Sequence, residues 1–233
     1  YPLLNGNVLI SYLNMEYGSM LDQNSYDLTV YGDVNIISSN IEGAGTLSVK
    51  YAANSIYIES SYFNPKVDIQ QYTGSVNFSY SEFYDDVNIS DQSSRIMADE
   101  FSGNTFYQNF TIVRNATNQS AVTYLSNFDD DFIEGDLSIT INQAVTFDFF
   151  NTTHIGGNFT INSSFAGYPS TENASFDFIS GNNSTVHITK TGSSELKFGN
   201  LSTNKWGDII LDQHLYINYN ASFGLGIVHT DSS

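Results

Sequence analysis

The chain has 233 residues, 40% of them hydrophobic, and a net charge of -18. This content is enough for a packed domain, whereas the acidic charge repels phosphate backbones and excludes nucleic-acid binding. No apolar run approaches the roughly 18 to 20 residues that cross a bilayer, so no membrane insertion is expected, and the absence of cysteine excludes disulfides and thiolate metal sites.

Short alternating strands are predicted along the chain, and no segment shows the period of an amphipathic helix. Many share a phrase in which Gly, Asn, Asp or Thr precedes alternating apolar and polar residues. In chain order, the copies are 6–10, 32–36, 54–58, 74–78, 86–89, 109–112, 135–139, 157–161, 185–188 and 207–211. Further strands are predicted at 28–31, 47–50, 122–125, 145–149 and 175–179. Most copies lie about 20 to 28 residues apart, as expected for the coils of a solenoid.

This pattern predicts an all-β fold in a single domain over residues 1–233. The repeat favours an irregular parallel β-solenoid, and the uneven spacing leaves an antiparallel β-sandwich as the alternative. In the solenoid, each coil buries Val, Ile, Leu and Phe, stacks Asn, Ser and Thr into outer ladders, and adds about 4.8 Å of rise.

Sites for N-linked glycosylation are the strongest functional signal. The tripeptide Asn-x-Ser/Thr, with x not Pro, accepts a glycan because its hydroxyl helps to orient the Asn amide for the transferase. Thirteen such sequons occur, more than twice the roughly five or six that this composition gives by chance. Their acceptors are Asn77, Asn88, Asn109, Asn115, Asn118, Asn151, Asn158, Asn162, Asn173, Asn182, Asn183, Asn200 and Asn220. The alternative is that Asn-rich and Ser/Thr-rich strands, as in bacterial adhesins, carry these tripeptides unmodified.

The sequons are unevenly distributed. The first eight Asn, from Asn5 to Asn64, supply none, and the remaining eighteen supply all thirteen. Residues 1–76 are therefore sequon-free and residues 77–233 are sequon-dense. Because successive side chains of a strand point to opposite faces, we expect apolar residues inside and Asn with Ser/Thr outside. This expectation applies to the segments 76–78, 87–89, 109–112 and 158–161.

Part of the chain resembles a known class of fold. The segments LTVYGDVNI (28–36), GAGTLSV (43–49) and SIYI (55–58) resemble the coils of filamentous-haemagglutinin and autotransporter-type β-helix adhesins. Those repeats are more regular and richer in Gly than residues 80–130 here. The acidic, cysteine-free composition, rich in Asn, Ser, Thr and Tyr, is similar to that of archaeal S-layer and extracellular filament glycoproteins. These resemblances imply a β-helix fold and a location outside the cell or at its surface.

Candidate catalytic and metal-binding residues are few. Asp129, Asp131 and Glu134 are candidate Ca²⁺ ligands because carboxylates supply hard oxygen donors, although their spacing does not match an EF-hand and a solvated acidic turn is the alternative. The sequence contains no nucleophile elbow, phosphate-binding loop or zinc signature. We therefore predict that the chain is not an enzyme and that its only bound groups are covalent N-glycans, with Ca²⁺ as the one candidate addition.

Together these features predict an extracellular structural glycoprotein that self-assembles into a cell-surface layer or filament. Its predicted partner is another copy of itself, contacted through residues 1–76, because a bulky glycan is hard to bury in a subunit contact. The apolar run 8–13 offers an edge for strand pairing. A monomeric adhesin or carbohydrate-binding module is the alternative function, and a β-helix polysaccharide lyase or hydrolase is the third.

Overall fold

The fold was examined in a computed structural model. The residues that it describes are 2–52, 55–71, 74–91, 98–114, 124–141, 145–150, 153–157, 159–163, 178–180, 186–190, 196–198, 216–218 and 221–223. Across these ranges every regular element is a β-strand. The described residues contain no helix that is long and apolar enough to cross a membrane.

Three long parallel sheets run along the chain, and each complete coil contributes one strand to each sheet in turn. The first sheet consists, in spatial order, of β1 (Val8–Ile10), β4 (Leu28–Val30), β7 (Thr46–Ala52), β10 (Lys66–Gln71), β13 (Val87–Asp91), β16 (Phe110–Arg114), β19 (Leu137–Ile141), β22 (Phe159–Ser163), β24 (Val186–Lys190) and β26 (Tyr216–Asn218).

The second sheet consists of β2 (Leu13–Glu16), β5 (Val34–Ile37), β8 (Ser55–Glu59), β11 (Ser75–Ser79), β14 (Ala98–Ser102), β17 (Tyr124–Asp129) and β20 (Val145–Phe150). The third consists of β3 (Met20–Asp22), β6 (Asn40–Glu42), β9 (Tyr62–Phe63), β12 (Glu82–Phe83), β15 (Thr105–Phe106), β18 (Phe132–Ile133), β21 (Thr153–Ile155) and β23 (Phe178–Ser180). A fourth sheet pairs β25 (Leu196–Phe198) with β27 (Ala221–Phe223).

This topology confirms the parallel β-solenoid and rules out the sandwich. Neighbouring strands in each long sheet are separated by a whole coil and are parallel, for example β10 with β13. Since an antiparallel sandwich joins adjacent strands through hairpins, it cannot give this order.

The uneven spacing of the repeated phrase has a simple cause. The copies containing Val34, Ile56 and Val76 lie in the second sheet, whereas those containing Val8 and Val87 lie in the first. The repeated phrase therefore occurs at two different positions of the coil, in the first sheet and in the second, and its spacing mixes the two. Along the first sheet alone, the coils are 19 or 20 residues long as far as β13 and lengthen to 23 and 27 residues over the next two steps.

The apolar run 8–13 does not form a single edge. It turns a corner between β1 and β2, and Ser11 and Tyr12 lie between the two strands.

Inside the solenoid, like residues stack on like residues. The register pairs Val67 with Val87, and both side chains are fully buried. At the third sheet, the buried rings of Phe63, Phe83 and Phe106 form a continuous stack with 5.0 Å between successive ring centroids. Parallel in-register strands impose this arrangement, because each side chain lies about 4.8 Å from its equivalent in the next coil.

The corner between the second and third sheets, the second corner, is built on a left-handed residue in each of the five coils from the second to the sixth. These residues are Ser38, Ser60, Tyr80, Gly103 and Asp130, with φ between 48° and 65°. Each is followed by a buried polar residue, namely Ser39, Ser61, Ser81, Asn104 and Asp131. Ser61 shows the pattern: its Oγ accepts the N–H of Ser39 at 3.1 Å and donates to the carbonyl of Glu59 at 2.7 Å. A ladder of buried polar side chains thus provides hydrogen-bond partners for the backbone N–H and C=O groups of this corner.

A buried ion pair lies at the first corner, between the first and second sheets. The Arg114 guanidinium donates to the Asp99 carboxylate and, at 3.1 Å, to Oε1 of Gln71. The other carboxylate oxygen of Asp99 accepts the Val76 N–H at 2.9 Å and Nε2 of Gln71 at 3.0 Å. Arg114, Asp99 and Gln71 are at most 1% exposed. The Arg114 and Asp99 charges neutralise each other, and either one alone would be buried without a counter-charge.

We predict that breaking this pair destabilises the fold more than replacing it. Arg114→Met should lower the free energy of unfolding by about 3–5 kcal/mol, because it leaves the Asp99 charge buried alone. Adding Asp99→Asn should recover most of that loss, because an amide oxygen can still accept the Val76 N–H. Urea unfolding of unglycosylated protein measures both values. As a control, Lys66→Ala breaks an exposed pair with Asp68 at 3.2 Å and should cost under about 1 kcal/mol. An equal loss in the single and double variants would contradict the prediction.

The buried carboxyl of Asp131 makes stability depend on pH. Burial raises its pKa to about 7, although the backbone and side-chain N–H groups of Asn104 and the backbone N–H of Asp129 donate to it. The folded chain therefore holds a proton that the unfolded chain, with an Asp pKa of about 3.9, has already released. The free energy of unfolding should fall as pH rises from about 4 to about 7, by about 4 kcal/mol at most from this group.

Comparison with Asp131→Asn isolates this effect. The variant should lack the added slope, while Asp130→Asn, at the exposed neighbouring position, should keep it. Urea unfolding from about pH 4 to about pH 8 provides the test. Parallel pH curves for wild type and Asp131→Asn would refute the assignment.

Candidate functional site

Three predicted acceptors have described side chains, and all three show the expected orientation. Asn77, Asn88 and Asn109 are each followed by a residue that is at most 1% exposed, and then by a partly exposed Ser or Thr. The acceptor amide and the sequon hydroxyl therefore share the outer surface, while the middle residue packs in the core. Strand alternation produces this arrangement without any other constraint.

Asn88 lies on the outer face of the first sheet, beside a shallow groove. The groove has a volume of about 300 Å³ and is lined by Ser48, Lys50, Asp68, Ile69, Gln70, Asn88 and Ser90. The Asn88 amide donates to Oδ1 of Asp68 in the preceding coil at 2.8 Å. An N-linked glycan leaves one amide hydrogen in place, so this bond is compatible with modification.

Asn109 is part of a ladder of Asn and Asp side chains at the third corner, between the third and first sheets. Its Oδ1 accepts the Asp136 N–H of the next coil at 3.0 Å, and its own N–H donates to Oδ1 of Asp86 at 3.1 Å. Asn7 and Asp27 begin the same series, because Oδ1 of Asn7 accepts the Asp27 N–H at 3.0 Å. Asn109 is exposed, and its amide nitrogen also donates to Oδ1 of Asp86 at 3.1 Å. Since a glycosylated amide keeps one hydrogen, this bond is compatible with modification.

The third acceptor, Asn77, lies in the second sheet. It lies in the middle of β11, between Tyr57 of β8 and Glu100 of β14. Its Oδ1 is buried and has no hydrogen-bond partner. Since a buried amide oxygen without a partner is unfavourable, the local arrangement does not by itself stabilise Asn at this position.

The other acceptors are less fully described. Asn162 is placed only by its backbone, in β22 beside Thr140 of β19. The remaining acceptors lie outside the described residues: Asn115, Asn118, Asn151, Asn158, Asn173, Asn182, Asn183, Asn200 and Asn220.

The three Ca²⁺ candidates are not brought together. Asp131 is fully buried and points into the second corner, whereas Glu134 is exposed beyond the end of β18. The left-handed Asp130 separates Asp131 from the partly exposed Asp129. Within the described ranges, no group of three His, Cys, Asp or Glu side chains is arranged to hold a metal ion.

A row of aromatic side chains on the outer face of the third sheet was missed by sequence reasoning. We call it the aromatic strip, and it comprises Tyr62, Glu82, Tyr84, Tyr107 and Phe132 on four successive coils. The rings of Tyr84 and Tyr107 are stacked with centroids 4.5 Å apart. Tyr62 is 47% exposed and Phe132 is 41% exposed.

Glu82 fixes the centre of the aromatic strip. Its Oε2 accepts the hydroxyl of Tyr84 at 2.7 Å and that of Tyr107 at 3.2 Å. The hydrogen bond to Glu82 raises the pKa of Tyr84, so its hydroxyl keeps its proton and remains a donor. A signal was present in the sequence, because Phe-Tyr pairs occur at 83–84 and 106–107, but it identifies a shared face only once the coil length is known.

No protein-family model, curated protein or solved structure was found to match the chain. The resemblance to β-helix adhesins and surface-layer glycoproteins therefore stays a prediction.

We predict that native protein carries glycan at Asn77, Asn88 and Asn109, giving an intact mass above the 25.8 kDa of the polypeptide. Glycopeptide mass spectrometry should show Ser90→Ala abolishing modification at Asn88 alone, because the hydroxyl is needed for transfer. Ser48→Ala, in the same groove but outside any sequon, is the matched control. Unmodified peptides at all three positions in protein from the native source would contradict the prediction.

Proposed function

We propose that the chain is an extracellular structural glycoprotein that self-assembles into a cell-surface layer or filament. The observation that carries this proposal is the common orientation of the three described sequons, whose acceptor and hydroxyl side chains point away from the core. N-glycans on these faces can be accommodated without disturbing the packing of the solenoid. A location at the cell surface follows from that modification, because N-linked transfer occurs on exported chains.

The surface left without acceptors supports self-association at the β1 end of the solenoid. All acceptors follow β10, so the first three coils have bare outer faces. The inward residues Leu13, Met15 and Leu21 of the first coil are 7–9% exposed, whereas Val34 and Ile36 in the next coil are at most 1% exposed. A second copy placed there would complete the burial of the first coil.

The backbone at this end is suited to strand addition. In parallel strands, alternate residues bond to opposite neighbours, and Val8 and Ile10 bond to the second coil through Asp27 and Tyr31. The N–H and C=O of Leu9 therefore face away from that coil, and the Leu9 side chain is 68% exposed. We infer that this edge accepts a strand of a second copy, which gives a head-to-tail contact that can propagate into a filament.

A proline substitution tests the edge directly. Leu9→Pro removes the outward N–H while leaving the bonds from Val8 and Ile10 to the second coil, so it should abolish polymers seen by electron microscopy and light scattering. Leu9→Ala keeps the N–H and should still assemble. Circular dichroism of both variants establishes that they fold.

A second variant tests the bare face. Ile37→Thr turns Asn35 into a sequon on the outer face of β5, and a glycan there should block contact. Continued assembly of Leu9→Pro, together with assembly of Ile37→Thr protein shown to be glycosylated at Asn35, would refute the interface.

A further inference from the structure

We propose that the aromatic strip on the third sheet is a binding site for a linear, uncharged polysaccharide from outside the protein. This assignment adds a ligand-binding role to the structural one and uses residues that neither the sequons nor the β1 edge involve.

The chemistry of the aromatic strip matches the two-sided character of a sugar ring. A pyranose presents apolar C–H groups that pack on aromatic side chains and hydroxyls that bond to carboxylates and phenols. Tyr62 and Phe132 provide exposed apolar surface at its two ends. Between them, Glu82 provides a carboxylate, and Tyr84 and Tyr107 provide hydroxyls in fixed positions. This order is built in before binding, which reduces the entropy lost when a ligand is held.

The dimensions favour a single glycan chain over a protein. Tyr62 and Phe132 are three coils apart in register, through Glu82 and Thr105, which corresponds to about 14 Å along the solenoid. The strip is only two outward side chains wide. Each of β9, β12, β15 and β18 has one outward and one buried residue, and the second outward side chain, such as Tyr84 or Tyr107, directly follows the strand. A stable protein interface needs about 800 Å² on each partner, several times the area available here.

The charge of the chain indicates which glycans are suitable. Glu82 lies at the centre of the aromatic strip and Glu134 follows β18 at its end, on a protein with a net charge of -18. An anionic polysaccharide would be repelled, whereas the hydroxyls of an uncharged one can donate to these carboxylates. None of β9, β12, β15 and β18, the strands that carry the aromatic strip, contains a sequon acceptor.

Binding can be tested apart from assembly and glycosylation by using unglycosylated Leu9→Pro protein. Its affinity should be measured on an array of linear neutral hexasaccharides covering glucans, mannans, galactans and xylans, with polygalacturonate as the anionic control. We expect binding to at least one neutral series and none to polygalacturonate. Tyr62→Ala and Phe132→Ala should each weaken binding about tenfold or more, because each removes an exposed aromatic contact.

Tyr31→Ala is the matched control, because Tyr31 is 48% exposed but lies at the first corner, away from the aromatic strip. It should bind like the parent protein. Absence of binding to every neutral series would overturn the assignment, as would equal binding by the parent and the Tyr62→Ala/Phe132→Ala double variant. Either result would leave the proposed assembly untouched, since that is measured by polymer formation.

Discussion

In-register parallel stacking is the constraint on which the rest of the structure depends. Every side chain lies about 4.8 Å from its equivalent in the coils on either side. A residue therefore stabilises the fold only if it can pack against, or hydrogen-bond to, the residue at the same position of the neighbouring coil. Inward aliphatic and Phe side chains satisfy this condition by packing in columns such as Phe63, Phe83 and Phe106. Polar columns satisfy it by donating to one coil and accepting from the other, as Ser61 does.

The same stacking limits where acidic side chains can lie in a chain with a net charge of -18. Carboxylates in successive coils repel each other, and the two ladders that contain Asn109 and Asn88 reduce this repulsion by placing a neutral residue next to each Asp. Asn109 lies between Asp86 and Asp136, and Asn88 follows Asp68. These two acceptors therefore also have a structural role, as neutral spacers that bond to a neighbouring carboxylate. Hydrogen bonding in the ladders is thus a reason for Asn at these positions that does not depend on glycosylation.

Local pattern was sufficient to predict strands and their faces, but not neighbours across coils. Alternation correctly placed Asn77, Asn88 and Asn109 outside, because the orientation of a strand residue depends only on the residues beside it. The pairing of Tyr84 with Tyr107 depends on a coil length of 23 residues, which varies along the chain. Asp131, a candidate Ca²⁺ ligand in the sequence, is buried next to the left-handed Asp130, and strand alternation alone does not indicate that conformation.

The variation in coil length also explains the buried ion pair. At the third corner, Val87 and Phe110 each lie four positions after the buried Phe of the third sheet, Phe83 or Phe106. Across the second corner, that Phe lies seven positions after Val76 in one coil and seven after Asp99 in the next. The step from the first sheet to the second instead becomes longer: β10 ends at Gln71 and β11 begins at Ser75, whereas β13 ends at Asp91 and β14 begins at Ala98.

Asp99 follows that segment in the register position of Val76, where the backbone pairing of β11 with β14 has not yet begun. Its carboxylate accepts the Val76 N–H in place of a backbone carbonyl, and Arg114 neutralises the charge this introduces. The ion pair thus lies where a coil becomes longer, and its carboxylate supplies the acceptor that the Val76 N–H needs at that position.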